Sequence, residues 1–233
     1  MEKLLRLTMV VAVSTFMSVS AIAFEGVSIG IMLTSADFDT TGKELEGGGT
    51  LSTTDNESTS GTSQSTVEFG SGFIEYTSAQ GSTFGVSYIP GAATLGTKSR
   101  TDAESPSDPD SDDGTYTAKA EISDHWTAYV EPTLMLNESF GVFVKGGASK
   151  VTVNSLESIS FGTDDSAYGN VDVWGVTYGL GAKAVHENGM FVKLEAMKTE
   201  YGTVTLRSTT GNKNTITADP ESETISLAIG YNF

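Results

Sequence analysis

The sequence predicts an all-β protein, an eight-stranded antiparallel up-and-down transmembrane β-barrel with long external loops and short periplasmic turns. Three observations predict it. The last nine residues alternate Ile225, Leu227, Ile229, Tyr231 and Phe233 with Ser226, Ala228, Gly230 and Asn232, a strand with one oily face and one thin face. The same two-residue period recurs in seven earlier segments. The connections between segments alternate strictly between short and long, as an up-and-down barrel requires.

The first strand, 24–37, sets Val27, Ile29, Ile31 and Leu33 against Gly26, Ser28, Gly30 and Met32. The second, 66–77, has Val67, Phe69 and Phe73 in one phase and Ile74 and Tyr76 in the other, which leaves its register open; a bulge near Phe73 would reconcile the two phases. The third, 83–90, groups Phe84, Val86 and Tyr88. The long fourth, 115–136, places Trp126, Ala128, Val130, Pro132, Leu134 and Leu136 opposite Thr127, Tyr129, Glu131, Thr133 and Met135. Pro132 lacks an N–H and marks a weakened pairing or a bulge. The fifth, 140–153, alternates Phe140, Val142, Val144 and Ala148 with Phe143, Lys145 and Ser149. The sixth sets Trp174, Val176, Tyr178, Leu180, Ala182 and Ala184 against three glycines, Thr177 and Lys183. The seventh sets Met190, Val192, Leu194 and Ala196 against Phe191, Lys193, Glu195 and Met197. Tight turns are expected at 78–82, 137–139 and 186–189, and long loops at 38–64, 91–114, 154–169 and 202–219.

Residues 1–23 read as a secretory signal: Lys3 and Arg6 form the basic region, 7–19 is mostly apolar, and Ala21-Ile22-Ala23 is a cleavage site. Residues 24–233 are then one barrel domain. No later segment approaches 18 consecutive apolar residues, so no transmembrane helix is expected. The net charge of −17 excludes nucleic acid as a partner, because phosphates would be repelled. Cysteine is absent, which removes disulfides, thiol chemistry and Cys-type metal sites.

An alternating barrel can turn its apolar face inward or outward. Glu131, Lys145, Lys183, Lys193 and Glu195 all fall on the face that is otherwise Gly, Ser and Thr. Placed toward lipid, a cation at the midplane would cost about 2–4 kcal/mol. The charges therefore belong in the lumen, as ion-pair or gate candidates. A turn centred on Glu138 sets Glu131 opposite Lys145. Trp126, Tyr88, Tyr178 and Tyr231 suit interfacial aromatic girdles.

The signal, the strand count, the loop rhythm and the terminal Tyr231-Asn232-Phe233 resemble the small outer-membrane barrels of the OmpA/OmpX type, the porin-family or OMP β-barrel domains. The resemblance implies export to the outer membrane of a Gram-negative cell. It also implies contact with outer-membrane lipid and lipopolysaccharide, and a C-terminal signal at Ile229, Tyr231 and Phe233 read by the barrel-assembly machinery. The expected function is non-enzymatic, structural or surface-interacting, with a packed polar interior and acidic mobile loops and no cofactor. The first alternative is a narrow pore for small solutes gated by the lumen charges. The second is a PagP-like lipid acyltransferase using Asp124-His125 near Ser123, which suffers because adjacent strand residues face opposite ways. Asp108, Asp110, Asp112 and Asp113 are candidates for loosely bound divalent cations. That loop departs from a calcium-binding EF-hand at Asp113 and Lys119, where a glycine and a glutamate are needed.

Overall fold

Alternating segments of this kind form strands because pleating sends successive side chains to opposite faces. In a computed structural model, which describes residues 25–45, 58–102, 114–159, 167–209 and 214–233, they do so throughout. The elements are β1 (Gly26–Leu45), β2 (Ser58–Thr77), β3 (Ser82–Asp102), β4 (Gly114–Met135), β5 (Phe140–Ile159), β6 (Asn170–Val185), β7 (Met190–Tyr201), β8 (Val204–Arg207) and β9 (Thr215–Asn232). All pairings are antiparallel, and each strand pairs with its predecessor up to β7. β9 then pairs with β7, with β8 and with β1. β7 and β8 are two stretches of one wall position, interrupted at Gly202-Thr203, where Gly202 N–H donates to Trp174 O at 2.8 Å. The ring therefore has eight positions and closes from Ser28↔Asn232 to Leu45↔Thr215.

The apolar residues face outward. Ile31, Leu33, Leu180 and Ile225 are 63–67% exposed, and so large a greasy surface belongs in a bilayer. The outward apolar runs 126–136, 140–148, 174–184 and 225–233 have the roughly 9–11 residues a tilted strand needs to cross hydrocarbon, and those at 27–33, 70–76, 84–88 and 190–196 are shorter. Immediately above them the outward positions turn charged, at Glu68, Asp124, Lys150, Asp172, Lys198 and Glu223. Inside, aromatic rings pack against bare glycine backbone of another strand. A Cβ at Gly30 would collide with the ring of Phe73, and one at Gly230 with the ring of Phe191.

Two expectations need correction. β2 carries no bulge near Phe73: its register against β1 is unbroken from Gly26↔Thr77 to Leu45↔Ser58. Val67, Phe69 and Phe73 simply point inward while Ile74 and Tyr76 meet lipid. The long loops are also shorter than expected, because β1, β2, β3, β4, β5 and β9 continue well into them as paired hairpin extensions. Outside hydrocarbon both faces of a strand can be polar, so pairing persists without an alternation to announce it. The β4–β5 register is the same on both sides of Pro132, between Val130↔Gly146 and Thr133↔Phe143, which makes Pro132 a gap in the ladder and no bulge.

The three tight turns lie where expected. Asn137 Oδ1 accepts from Ser139 N–H and Phe140 N–H, both at 2.9 Å. Gly189 takes a positive φ of 91°, which suits glycine at the β6–β7 turn.

Candidate functional site

Four strands send five ionic side chains to a common level in the lumen, two of them from β7. Lys193 from β7 reaches Glu75 of β2 at 2.6 Å and Glu131 of β4 at 2.8 Å. Lys145 from β5 reaches Glu195 of β7 at 2.7 Å and Glu131 at 3.5 Å. Tyr129 on β4 donates its hydroxyl to Glu75 Oε1 at 2.6 Å, and Lys145 Nζ lies 4.1 Å from the centre of the Tyr129 ring. Glu131 is 0% exposed and Lys193 1%. Such groups stay charged only when mutual attraction and hydrogen bonds offset their desolvation. Each carboxylate here has an ammonium within ion-pair reach.

The turn arithmetic placed Glu131 against Lys145, and the surrounding register agrees with it. The shortest Lys145 contact nevertheless goes to Glu195 of β7, past the intervening β6. Lys183 stands apart. It pairs in register with Lys193 across β6–β7, and its ammonium turns instead toward the face of the Phe191 ring, 4.3 Å from the centroid. No carboxylate lies within ion-pair reach of it among the described residues. Glu75, which sequence reasoning missed, is the third acid of the cluster.

Beside the cluster, Phe73, Phe191 and Ala228 pack into an apolar group, and toward the turn end of the barrel Thr77 and Thr83 bond at 2.9 Å. Above the cluster runs a belt of hydroxyls from β4 to β7: Thr127, Ser149, Thr177 and Thr199, linked at 2.8, 2.6 and 2.8 Å. Over the belt lies a small chamber of about 70 Å³, bordered by Phe38, Phe69, Ile89, His125 and Tyr201 and floored by Glu75 and Lys193. Higher still, beyond the membrane, Val151, Tyr168, Val173, Val204 and Leu206 form a second apolar core between β5, β6, β8 and the segment before β6.

His125 points into this chamber, its Nε2 3.3 Å from Tyr201 Oη. Burial pulls its pKa down to about 4 and pushes that of Tyr201 up to about 12. Asp124 adopts a positive φ of 51° in a bulge between Ser123 and Trp126. Its carboxylate lies on the outer surface, within 3.5 Å of Tyr88 Oη. Ser123 Oγ accepts from Asn154 Nδ2 at 3.2 Å. Ser123, Asp124 and His125 thus do not converge on one another. His186 sits in the β6–β7 turn, far from His125.

Ile229 and Tyr231 face lipid, and Phe233 packs its ring edge-on against Tyr231 at 5.1 Å. Trp126 stacks on Tyr88 at 4.2 Å at the outer edge of the apolar band. In the charged ring above, Lys150 bonds Asp172 at 2.7 Å and holds its carboxyl below the usual range. Lys198 bonds Glu221 at 3.0 Å and is held above the usual ammonium range. No group of three or more His, Asp or Glu residues suited to a metal ion occurs among the described residues. Asp108, Asp110, Asp112 and Asp113 lie outside those residues, as do residues 1–23.

No protein-family model matches the chain, and no curated protein matches it in sequence. Solved structures do resemble it. OprG, an outer membrane protein of Pseudomonas aeruginosa, is 11% identical with a TM-score of 0.45, over 88% of this chain and 97% of that one. The outer membrane protease OmpT of Escherichia coli is 9% identical with a TM-score of 0.45, over 93% and 100%. Ail, the attachment invasion locus protein of Yersinia pestis, is 12% identical with a TM-score of 0.37, over 90% and 99%.

Proposed function

We propose that this chain is a non-catalytic integral protein of the cell outer membrane, sealed at mid-height and working through the surfaces it presents outside. The observation that carries the reading is the buried cluster of Glu75, Glu131, Lys145, Lys193 and Glu195, which closes the lumen with paired charge and leaves no acid without a cation. Eight strands leave an interior just wide enough for side chains to fill. The hairpin extensions support the second half of the reading. β3 runs 14 residues beyond Tyr88, roughly 45 Å of strand at about 3.3 Å per residue. The outward charges above the band are mostly acidic, which suits hydration or divalent cations shared with lipopolysaccharide.

The decisive experiment is conductance of the purified protein in planar bilayers. The sealed barrel predicts no reproducible openings. Stepwise openings abolished by neutralising Lys145 would replace this reading with the narrow pore. Against an acyltransferase stands the divergence of Asp124 and His125, and lipid acyl transfer that vanished in His125→Ala would overturn that argument. The roles of Ile229, Tyr231 and Phe233 in assembly are part of the same proposal, tested by whether Phe233→Ala lowers insertion into the outer membrane.

A further inference from the structure

The wall is not equally closed all the way round. β1 and β2 are paired over their full length, and β3 and β4 over nearly all of theirs. β2 and β3 pair only from Gly72↔Tyr88 to Thr77↔Thr83, although each runs on for at least 14 further residues. Higher up the two strands approach again, since a Cβ at Gly96 would lie 3.6 Å from Ser63 Oγ. Between these points a window opens, edged by 64–71 on β2 and 89–95 on β3. The local sequence accounts for it. Pro90 has no N–H to give a partner. Gly91 takes a positive φ of 90°, and β3 shifts register against β4 between Ile89 and Ala92.

The lower edge of this window lies at the outer boundary of the apolar band, level with Leu33, which pairs Gly70, and with the Tyr88–Trp126 stack. Directly behind it is the chamber above the ion cluster, whose border here is Phe69, Phe73, Ser87 and Ile89. Two buried polar atoms on the inner face of β2 have no hydrogen-bond partner: Ser71 Oγ and Glu75 Oε2. Glu75 is 3% exposed and lines the chamber. A buried acceptor without a donor is costly, of order 1–3 kcal/mol, and calls for one. The ion cluster is also short of positive charge, with three carboxylates against the ammoniums of Lys145 and Lys193, because Lys183 has turned toward Phe191.

We propose that the window between β2 and β3 is a lateral port through which a slender alkyl amine enters from the outer leaflet, placing its ammonium against Glu75 and Ser71. The tail lies between the strands, among Phe69, Ile89 and the surrounding lipid. Lys145 and Lys193 also line the chamber but are held by Glu195, Glu75 and Glu131, which leaves Glu75 Oε2 as the group there that lacks a donor. The site rests on the barrel's orientation and is independent of whether the lumen conducts.

The test uses the full chain in lipid nanodiscs, followed by amide NMR and hydrogen exchange. Octylamine is the probe, with octanoate as the control. The expected result is a saturable shift confined to residues near Ser71, Phe73, Glu75 and Ile89, with octylamine at least tenfold tighter than octanoate. Ser87→Phe, or Ser71→Leu should the first fail to fold, fills the entry and removes the shift. Amides on the two window edges exchange faster than those of 72–77 and 83–88. Shifts that grow linearly and spread over all lipid-facing residues would show bulk partitioning and overturn the proposal. So would equal binding of octanoate, or window amides as protected as the paired ones.

Discussion

Lys193→Met removes the cation that joins two acids at under 3 Å each. Lys193 Nζ lies 2.6 Å from Glu75 and 2.8 Å from Glu131, and all three side chains are at most 3% exposed. After the change Glu131 retains only Lys145, at 3.5 Å, and Glu75 retains only the Tyr129 hydroxyl. Breaking a buried ion pair from one side typically costs about 3–5 kcal/mol, because a charge is left behind without its partner. The loss should fall in that range. Adding Glu131→Gln removes one stranded charge and should restore about 1–3 kcal/mol, a coupling expected of residues in one network. The assay is reversible urea unfolding from lipid vesicles, read by tryptophan fluorescence, with the denaturant slope checked for constancy. A loss below about 1 kcal/mol, equal in the single and double variants, would refute the reasoning. It would mean that water reaches these groups freely and that the lumen is wet at this level.

Three further outcomes follow from the same geometry. Gly230→Val drives a side chain into the Phe191 ring and should destabilise by about 1–3 kcal/mol, the usual range for overpacking; Phe191→Leu in the same chain should recover part of the loss. Leu180→Arg, on the lipid face, should cost about 2–4 kcal/mol in vesicles if it lies near the midplane, whereas Thr205→Arg on the exposed face of β8 should be near neutral. His125 has its pKa lowered from 6.5 to about 4 in the folded protein. Its proton is therefore taken up by the unfolded chain first, and stability is undiminished above pH 6.5, falls as pH drops toward 4, and levels off below. The slope is at most about 1.4 kcal/mol per pH unit, and less because the ring is only half-buried. His125→Gln should flatten the unfolding midpoint over that interval, and an unchanged pH profile would contradict the burial argument.

The parts of this fold that were legible in the sequence are those where lipid forces a choice. Val27 to Leu33, Trp174 to Ala184 and Ile225 to Phe233 could be assigned to faces because hydrocarbon tolerates apolar residues only, and the opposite positions are small or polar. β2 resisted for the same physical reason in reverse. Phe69 and Phe73 face inward, Phe73 against the bare backbone of Gly30, while Ile74 and Tyr76 face lipid, so both phases are apolar and the period is mute. Glu75, between two apolar neighbours, was lost with it. Only its charge within an otherwise membrane-facing segment could have signalled an inward position.

The ion cluster was half legible. A hairpin turn fixes the register of neighbouring strands, which is how Glu131 comes opposite Lys145. The contacts of Lys193 with Glu75 and of Lys145 with Glu195 join strands that do not neighbour one another in the ring. No turn relates them, so they depend on how the ring closes. The strand extensions above the membrane escaped because polar residues stand on both faces, Asp39, Thr40, Thr41, Lys43 and Glu44 on β1 and Ser60 to Thr66 on β2, so no apolar period marks them.

The account stands on which face of the wall meets lipid. Because the chain has no cysteine, single-cysteine variants carrying a nitroxide give a clean reading in bilayers. Labels at Leu33, Leu180 and Leu227 should relax readily with dissolved oxygen, which concentrates in hydrocarbon. Labels at the inward Thr34, Ser149 and Ser226 should respond to oxygen far less. The reverse pattern, with oxygen reaching the second set and sparing the first, would contradict the account.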